Sequence, residues 1–249
     1  MQQIDWLSRT ELLVGPEKIK KLKKSHVLIV GLGGVGGYAA EMICRAGVGR
    51  MTIVDGDSVN ASNRNRQLIA LTSTTGKPKA LVLADRLKDI NPDIKLTVIE
   101  EFIRDEAMND ILQEKYDYVV DAIDTLSPKI YLIYHSIQNN LRIVSSMGAG
   151  GKFAPELVHI DDISKSHNCK LAYVLRKRLR KLGISSGFKV VYSKELVDKE
   201  NVIPCDDEPN KKSIIGTISY MPPVFGCFIA SIVIRDLLED AAEPKLTEL

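Results

Sequence analysis

Val27-Leu28-Ile29-Val30 runs without a break into Gly31-Leu32-Gly33-Gly34-Val35-Gly36. A short, uninterrupted apolar run is what a strand covered on both faces requires. The glycines that follow fit G-x-G-x-x-G, in which missing side chains let backbone N–H groups approach a phosphate at the positive end of the next helix. The same alternation continues downstream. The pattern predicts helices over 35–46, 77–90, 105–114 and 127–140, interleaved with strands at 51–54, 96–99, 118–120 and 142–146. Gly47 stops the first of these helices and Asn91-Pro92 the second. The expected class is α/β, a Rossmann-like, mainly parallel sheet with helices on both faces.

Beyond Met147 the regular beat weakens into Gly148-Ala149-Gly150-Gly151, followed by a basic helix expected over 169–182 and a loop over 198–213. We therefore read one domain over 1–249. It has an arm over 1–25, a nucleotide-binding core over 26–147, and a C-terminal, substrate-facing part over 148–249. The longest apolar stretch, 221–234, is shorter than the roughly 20 residues that span a bilayer and begins near Pro222-Pro223, so it reads as a buried helix and no membrane partner is expected. The first residues carry neither the basic start nor the apolar run of an export signal, so a cytoplasmic setting is expected.

Asp55 lies 19 residues past Gly36, at the end of the second strand, where a carboxylate can accept hydrogen bonds from ribose hydroxyls. NAD and ATP both carry such hydroxyls. On these features alone a dinucleotide oxidoreductase is the commoner use of the fold. The residues that follow change the balance. Asn63-Arg64-Asn65-Arg66-Gln67 comes soon after Asp55-Gly56-Asp57, Gly76-Lys77-Pro78-Lys79-Ala80 opens the next helix, and Asp121-Ala122-Ile123-Asp124 closes the fourth strand. Hydride transfer has no need of these cations. Cleavage of a triphosphate does, because charge develops on phosphate oxygens where Arg and Lys donors and a carboxylate-held Mg²⁺ stabilise it.

The order of glycine turn, Asp55, Asn63-x-x-Arg66-Gln67, Lys79 and Asp124 resembles the adenylating superfamily of MoeB, ThiF and the ubiquitin-activating enzymes. The resemblance implies that Gly31, Gly33, Gly34, Gly36, Asp55, Asn63, Arg66, Gln67 and Lys79 bind ATP and that Asp124 helps to hold Mg²⁺. A monovalent cation is a further candidate. Asp57 is open between a turn residue and a nucleotide ligand. Arg9, in Ser8-Arg9-Thr10-Glu11-Leu12-Leu13, is similar to an arginine finger that crosses from the partner in a homodimer. Arg9, Arg66, Lys79 and Asp124 are thus the catalytic candidates.

Carrier-charging members of that superfamily commonly hold zinc with two Cys-x-x-Cys pairs; the four cysteines of this chain form none. The 145–152 and 216–226 segments and the basic helix between them instead resemble the branch that dehydrates threonylcarbamoyladenosine in tRNA. That resemblance implies ATP-dependent adenylation of a carboxylate on the adenosine beside the anticodon, then ring closure with net loss of water. Intramolecular closure has a high effective molarity, so no enzyme nucleophile is required. Two alternatives stay open: adenylation of the C-terminus of a ubiquitin-like sulfur carrier, and an ATP-binding scaffold or sensor without turnover. A sulfur-transfer protein is a further candidate partner.

Net charge is only +2, but 165–181 holds seven basic residues and no acidic one. Arg176, Lys177, Arg178, Arg180 and Lys181 are the tRNA-binding candidates, with Leu175, Leu179 and Leu182 as the docking face. The 148–151 glycines are expected to admit close backbone approach to the substrate. Cys227 is expected to be a buried small hydrophobe, with a reactive thiol as the minor reading. Cys205 precedes three acidic residues that disfavour a thiolate, and Lys77 and Lys129 read as surface cations, with Lys129 kept as a lesser site candidate because the resemblance implies a positive residue there.

Overall fold

Successive residues of β1 (His26–Val30) enter two different cores, which is the signature of a strand sandwiched between helical layers. Val27 and Ile29 join one cluster, Leu28 and Val30 the other. The computed structural model describes residues 5–103, 105–204 and 213–239; Cys205 lies outside them. On one side of β1 lie β2 (Arg50–Val54) and β3 (Lys95–Ile99), and on the other β4 (Tyr118–Asp121) and β5 (Ile143–Ser146), all parallel. β7 (Lys189–Ser193) extends the sheet in parallel beyond β5, and β6 (Val158–Asp162) closes that edge antiparallel to β7. The strand order is β3-β2-β1-β4-β5-β7-β6.

One face carries α3 (Gly36–Arg45), α4 (Lys79–Ile90) and α8 (Met221–Leu238), with Ala39, Ile43, Leu83, Phe225, Ile229 and Val233 in its core. The other carries α5 (Asp105–Leu112), α6 (Leu126–Gln138) and α7 (Lys170–Lys181), with Leu132, Leu175 and Leu179 buried. α1 (Ser8–Val14) and α2 (Pro16–Lys24) precede the sheet, and β8 (Val202–Pro204) pairs antiparallel with β9 (Ser213–Ile215). The expected α/β layers are thus present. α4 starts two residues later than the pattern implies, because Gly76 turns the chain with φ +87° and Pro78 holds the extended N-cap. β6 and β7 were not anticipated: each is five residues long, and β6 is a half-buried edge strand ending in Asp161-Asp162, too polar to stand out as an apolar run.

α8 is the one described helix long and apolar enough, by length and composition, to cross a bilayer. Here it is built into the core along α3, where a Cβ on Gly226 would lie 2.6 Å from the Val35 carbonyl oxygen. Cys227, next in sequence, faces outward and is exposed, contrary to expectation. A helix apolar on nearly every side gives no period from which its inner face can be read.

Lys129 also departs from expectation. It is fully buried on α6, and its ammonium lies 2.8 Å from the equally buried Asp121 carboxylate at the end of β4. Nζ donates to the Ile123 carbonyl at 2.9 Å, while Asp121 accepts from the Ile123 N–H at 3.1 Å and from the Ser145 hydroxyl at 2.5 Å. Burial pushes the Asp121 carboxyl up from its ordinary value, against the pull of Lys129, Ser145 and Ile123. Removing one member of such a pair leaves an uncompensated buried charge. Lys129→Met should therefore lower unfolding free energy in urea by about 3–5 kcal/mol, whereas the same change at exposed Lys77 should stay within about 0.5 kcal/mol. Equal, small losses in the two melts would show that the pair does not hold this corner of the fold.

Candidate active site

Strand register brings the candidate residues to one edge. Val30 is level with Val54 on β2 and with Asp121 on β4, so the segments that begin at Gly31, Asp55 and Ala122 leave the sheet side by side. This is where the strand order reverses around β1, the position at which open α/β sheets form a crevice. The glycine turn fits tightly there. Gly31 has φ +89°, and a Cβ on it would lie 2.7 Å from the Ala122 carbonyl oxygen; one on Gly36 would lie 1.8 Å from the Gly31 carbonyl oxygen. No larger residue can occupy either position without moving the backbone.

Asp55 secures the turn from below. Its carboxylate accepts from the Leu32 N–H at 2.6 Å and from the Asp57 N–H at 2.8 Å. Burial pushes the Asp55 carboxyl up, opposed by the nearby Lys79 ammonium and these two N–H donors. Val35, at the N-cap of α3, offers no side-chain acceptor, so no side chain caps the helix start that faces the crevice. Gln67 is buried, and its Oε1 has no hydrogen-bond partner. A buried amide oxygen left in this state beside a glycine cradle is a polar site that a ligand can satisfy.

The cations are held by their own loop. Lys79, only 7% exposed, donates to the Asp57 carboxylate at 2.7 Å, which makes Asp57 the partner of Lys79 as well as a turn residue. Asn63 closes a capping box with Asn60, and Arg66 donates to the Ser62 carbonyl at 3.1 Å and to the Asn65 side chain at 2.8 Å. Asn65 in turn donates to the Thr217 carbonyl at 2.9 Å. Asp124 is exposed on the loop after β4, and among the described residues nothing pairs with it. Arg9 stands apart on α1, exposed, and makes no described contact with any of these groups.

The C-terminal part reaches the same edge. A Cβ on Gly34 would lie 2.9 Å from Pro222, which places the start of α8 against the glycine turn. Two of the 148–151 glycines pack closely against other segments of this chain. A Cβ on Gly150 would press on Ile215 at 3.1 Å and one on Gly151 on Val197 at 2.6 Å, so this chain's own segments occupy the space. On α7, Leu175 and Leu179 dock while Leu182 ends half outside the helix as its C-cap. Lys177, Arg178, Arg180 and Lys181 are exposed, but Arg176 turns back to donate to the Ser166 carbonyl at 2.6 Å and also to the Ser166 hydroxyl. Arg176 is thus an anchor of the helix rather than a free cation. Although Cys227 is exposed, partial desolvation by the neighbouring protein raises its thiol above the ordinary value, which disfavours a thiolate nucleophile. Sequence reasoning assigned no role to Asp121, Phe153 or Tyr220; buried charge and preorganised exposed rings leave no local pattern in sequence.

A ThiF family model matches residues 7–249. The Bacillus subtilis tRNA threonylcarbamoyladenosine dehydratase is 40% identical over 240 residues, covering 94% of each chain. The crystal structure of the Escherichia coli tRNA N6-threonylcarbamoyladenosine dehydratase in complex with ATP superposes with a TM-score of 0.86 at 30% identity, again over 94% of each chain. The Escherichia coli sulfur carrier protein ThiS adenylyltransferase is 36% identical, but over only 135 residues, 53% of each. A model matched across almost the whole chain, with full-length relatives besides, makes this chain a member of the ThiF family.

Proposed function

We propose that this chain is an ATP-dependent tRNA threonylcarbamoyladenosine dehydratase. The observation that carries the reading is the full-length match to dehydratases, 94% of each chain, which includes the C-terminal part that contacts the glycine turn through Pro222. Carrier adenylation is favoured less, because the relative that represents it matches only about half of the chain.

In this mechanism the glycine turn and the uncapped start of α3 receive phosphate oxygens, and Asp55 accepts from ribose hydroxyls with the lone pairs that Leu32 and Asp57 leave free. Arg66 and Lys79 are assigned as donors for the triphosphate, Lys79 by exchanging its bond with Asp57 for one to phosphate. The substrate carboxylate attacks the α-phosphorus; the bond to pyrophosphate breaks and an acyl-adenylate forms. The substrate's carbamoyl nitrogen then attacks the acyl carbon, loses its proton to solvent and displaces AMP. Ring closure plus hydrolysis of ATP to AMP and pyrophosphate removes one water from the nucleoside. No thiol is needed, in keeping with the raised Cys227.

Asp124 fits a Mg²⁺ role. Among the described residues no three His, Cys, Asp or Glu side chains gather as a metal cage, and Mg²⁺ characteristically takes one or two carboxylates and completes its shell with substrate phosphates and water. The ion, when bound, neutralises phosphate charge. α1 presents Leu12 and Leu13 almost fully exposed beside Arg9, which fits a homodimer in which Arg9 enters the partner's site. A cytoplasmic setting suits a tRNA substrate.

Three measurements test the reading. Incubation with ATP and tRNA should remove one water from the threonylcarbamoyl nucleoside, read by mass spectrometry of digested nucleosides; an unchanged mass with intact tRNA would refute the function. Asp124→Ala should slow tRNA-dependent pyrophosphate release on the order of a hundredfold or more, with a smaller loss of ATP affinity, and full activity would remove the Mg²⁺ role. Reversing charge at Lys177, Arg178 and Arg180 together should weaken tRNA binding and reduce the slope of log affinity against log salt by about 2–3. An unaltered slope would mean that α7 faces away from the RNA.

A further inference from the structure

Beside the nucleotide crevice lies an open pocket of about 230 Å³, lined by Lys152, Phe153, Glu195, Leu196, Asn201 and Ile218 among others. At its rim Phe153 is 68% exposed, yet its backbone is fixed on both sides. The Glu195 carboxylate accepts from the Phe153 N–H at 2.8 Å and from the Ala154 N–H at 2.9 Å, and the Tyr220 hydroxyl donates to the Phe153 carbonyl at 2.8 Å. Lys152, itself buried, donates to the Glu195 carbonyl and pins that residue in turn. The Phe153 and Tyr220 rings meet edge to face with centroids 5.8 Å apart. Four hydrogen bonds therefore serve to present one aromatic face to solvent. A ring that merely filled a core would be covered; among the described residues this one is not.

Its position says what the face is for. Tyr220 immediately precedes the α8 start whose Pro222 packs on Gly34, and Thr217, next to the pocket-lining Ile218, accepts the bond from Asn65 in the nucleotide loop. On the far side the Asn168 amide donates to the Lys194 carbonyl, joining the approach to basic α7 to the residue before Glu195. The segments that carry the rings are thus hydrogen-bonded to the nucleotide loop on one side and to the approach to α7 on the other, so an RNA loop that engages both can meet the exposed ring. Single-stranded RNA bases are bound by stacking on such rings, and stacking tolerates any base.

We infer that Phe153, locked by Tyr220 and Glu195, is a stacking platform for a base adjoining the modified adenosine, and that it splays the anticodon loop so that this adenosine can enter the pocket. The inference rests on the tRNA reading above. Its test uses an anticodon stem-loop carrying the threonylcarbamoyl group and 2-aminopurine at each neighbouring position in turn, with full-length protein and ATP. Wild-type protein should quench one of the two probes. Phe153→Leu should abolish that quenching and weaken stem-loop binding about ten- to a hundredfold, the worth of one base–ring stack, without altering the salt slope. Phe153→Trp should restore both, and Tyr220→Phe, which keeps the ring and removes its bond, should produce an intermediate loss. Quenching and affinity unchanged in Phe153→Leu, with the wild type still dehydrating tRNA, would overturn the platform alone. Loss of thermal stability in that variant without loss of RNA affinity would likewise overturn it, since the ring would then be a packing element. Absence of tRNA-dependent turnover in the wild type would overturn the platform together with the function on which it rests.

Discussion

The ion pair between Asp121 and Lys129 fixes the corner of the sheet against which the glycine turn packs. It joins the end of β4 to α6, and through Ser145 and Ile123 it also holds β5 and the loop that leads to Asp124. The Ala122 backbone that this loop carries is the surface against which Gly31 packs too closely for a side chain. Two fully buried charges are unfavourable in isolation, and a well-packed apolar pair in their place can be as stable or more so. What an apolar pair lacks is direction. The carboxylate and ammonium each take a backbone partner on Ile123, and that sets the course of the chain as it leaves the sheet.

The level ends of β1, β2 and β4 do the remaining work of assembly. Asp55, the glycine turn and the loop after β4 are separated by tens of residues, but the parallel register delivers them to one edge with no need for long connections. The segment around Thr217 and Pro222 then folds back onto this edge, so the C-terminal part forms a wall of the crevice rather than a separate body. The likeness to a carrier adenylyltransferase spans about half of the chain, whereas that to a dehydratase spans nearly all of it.

Much of this was readable in the residues. The apolar runs of β1 and β4 and the glycine turn carry strong local signals, and strand ends converge by topology, so Gly33, Asp55 and Asp124 could be grouped before any coordinates, whereas Lys79 and the 63–67 loop joined the group through the family resemblance. The misses have physical causes. Lys129 was read as a surface cation because a lysine on a helix usually is one, and its carboxylate partner lies on a different element. Cys227 was placed inside because α8 is apolar nearly all the way round, which removes the periodicity that separates an inner from an outer face. The packing of Gly150 on Ile215 and of Gly151 on Val197 is a tertiary contact that no spacing encodes. Arg176 was grouped with its basic neighbours, but its register on α7 turns it toward Ser166.

The single bond from Asn65 to the Thr217 carbonyl has a thermodynamic consequence. It spans the loop that would grip phosphates and the strip that would meet nucleic acid, so ordering either one withdraws freedom from the other. Whichever ligand arrives first bears most of that entropy loss, and the second then binds a strip already stiffened. Linkage makes the assistance mutual: by whatever factor ATP tightens the hold on RNA, RNA tightens the hold on ATP.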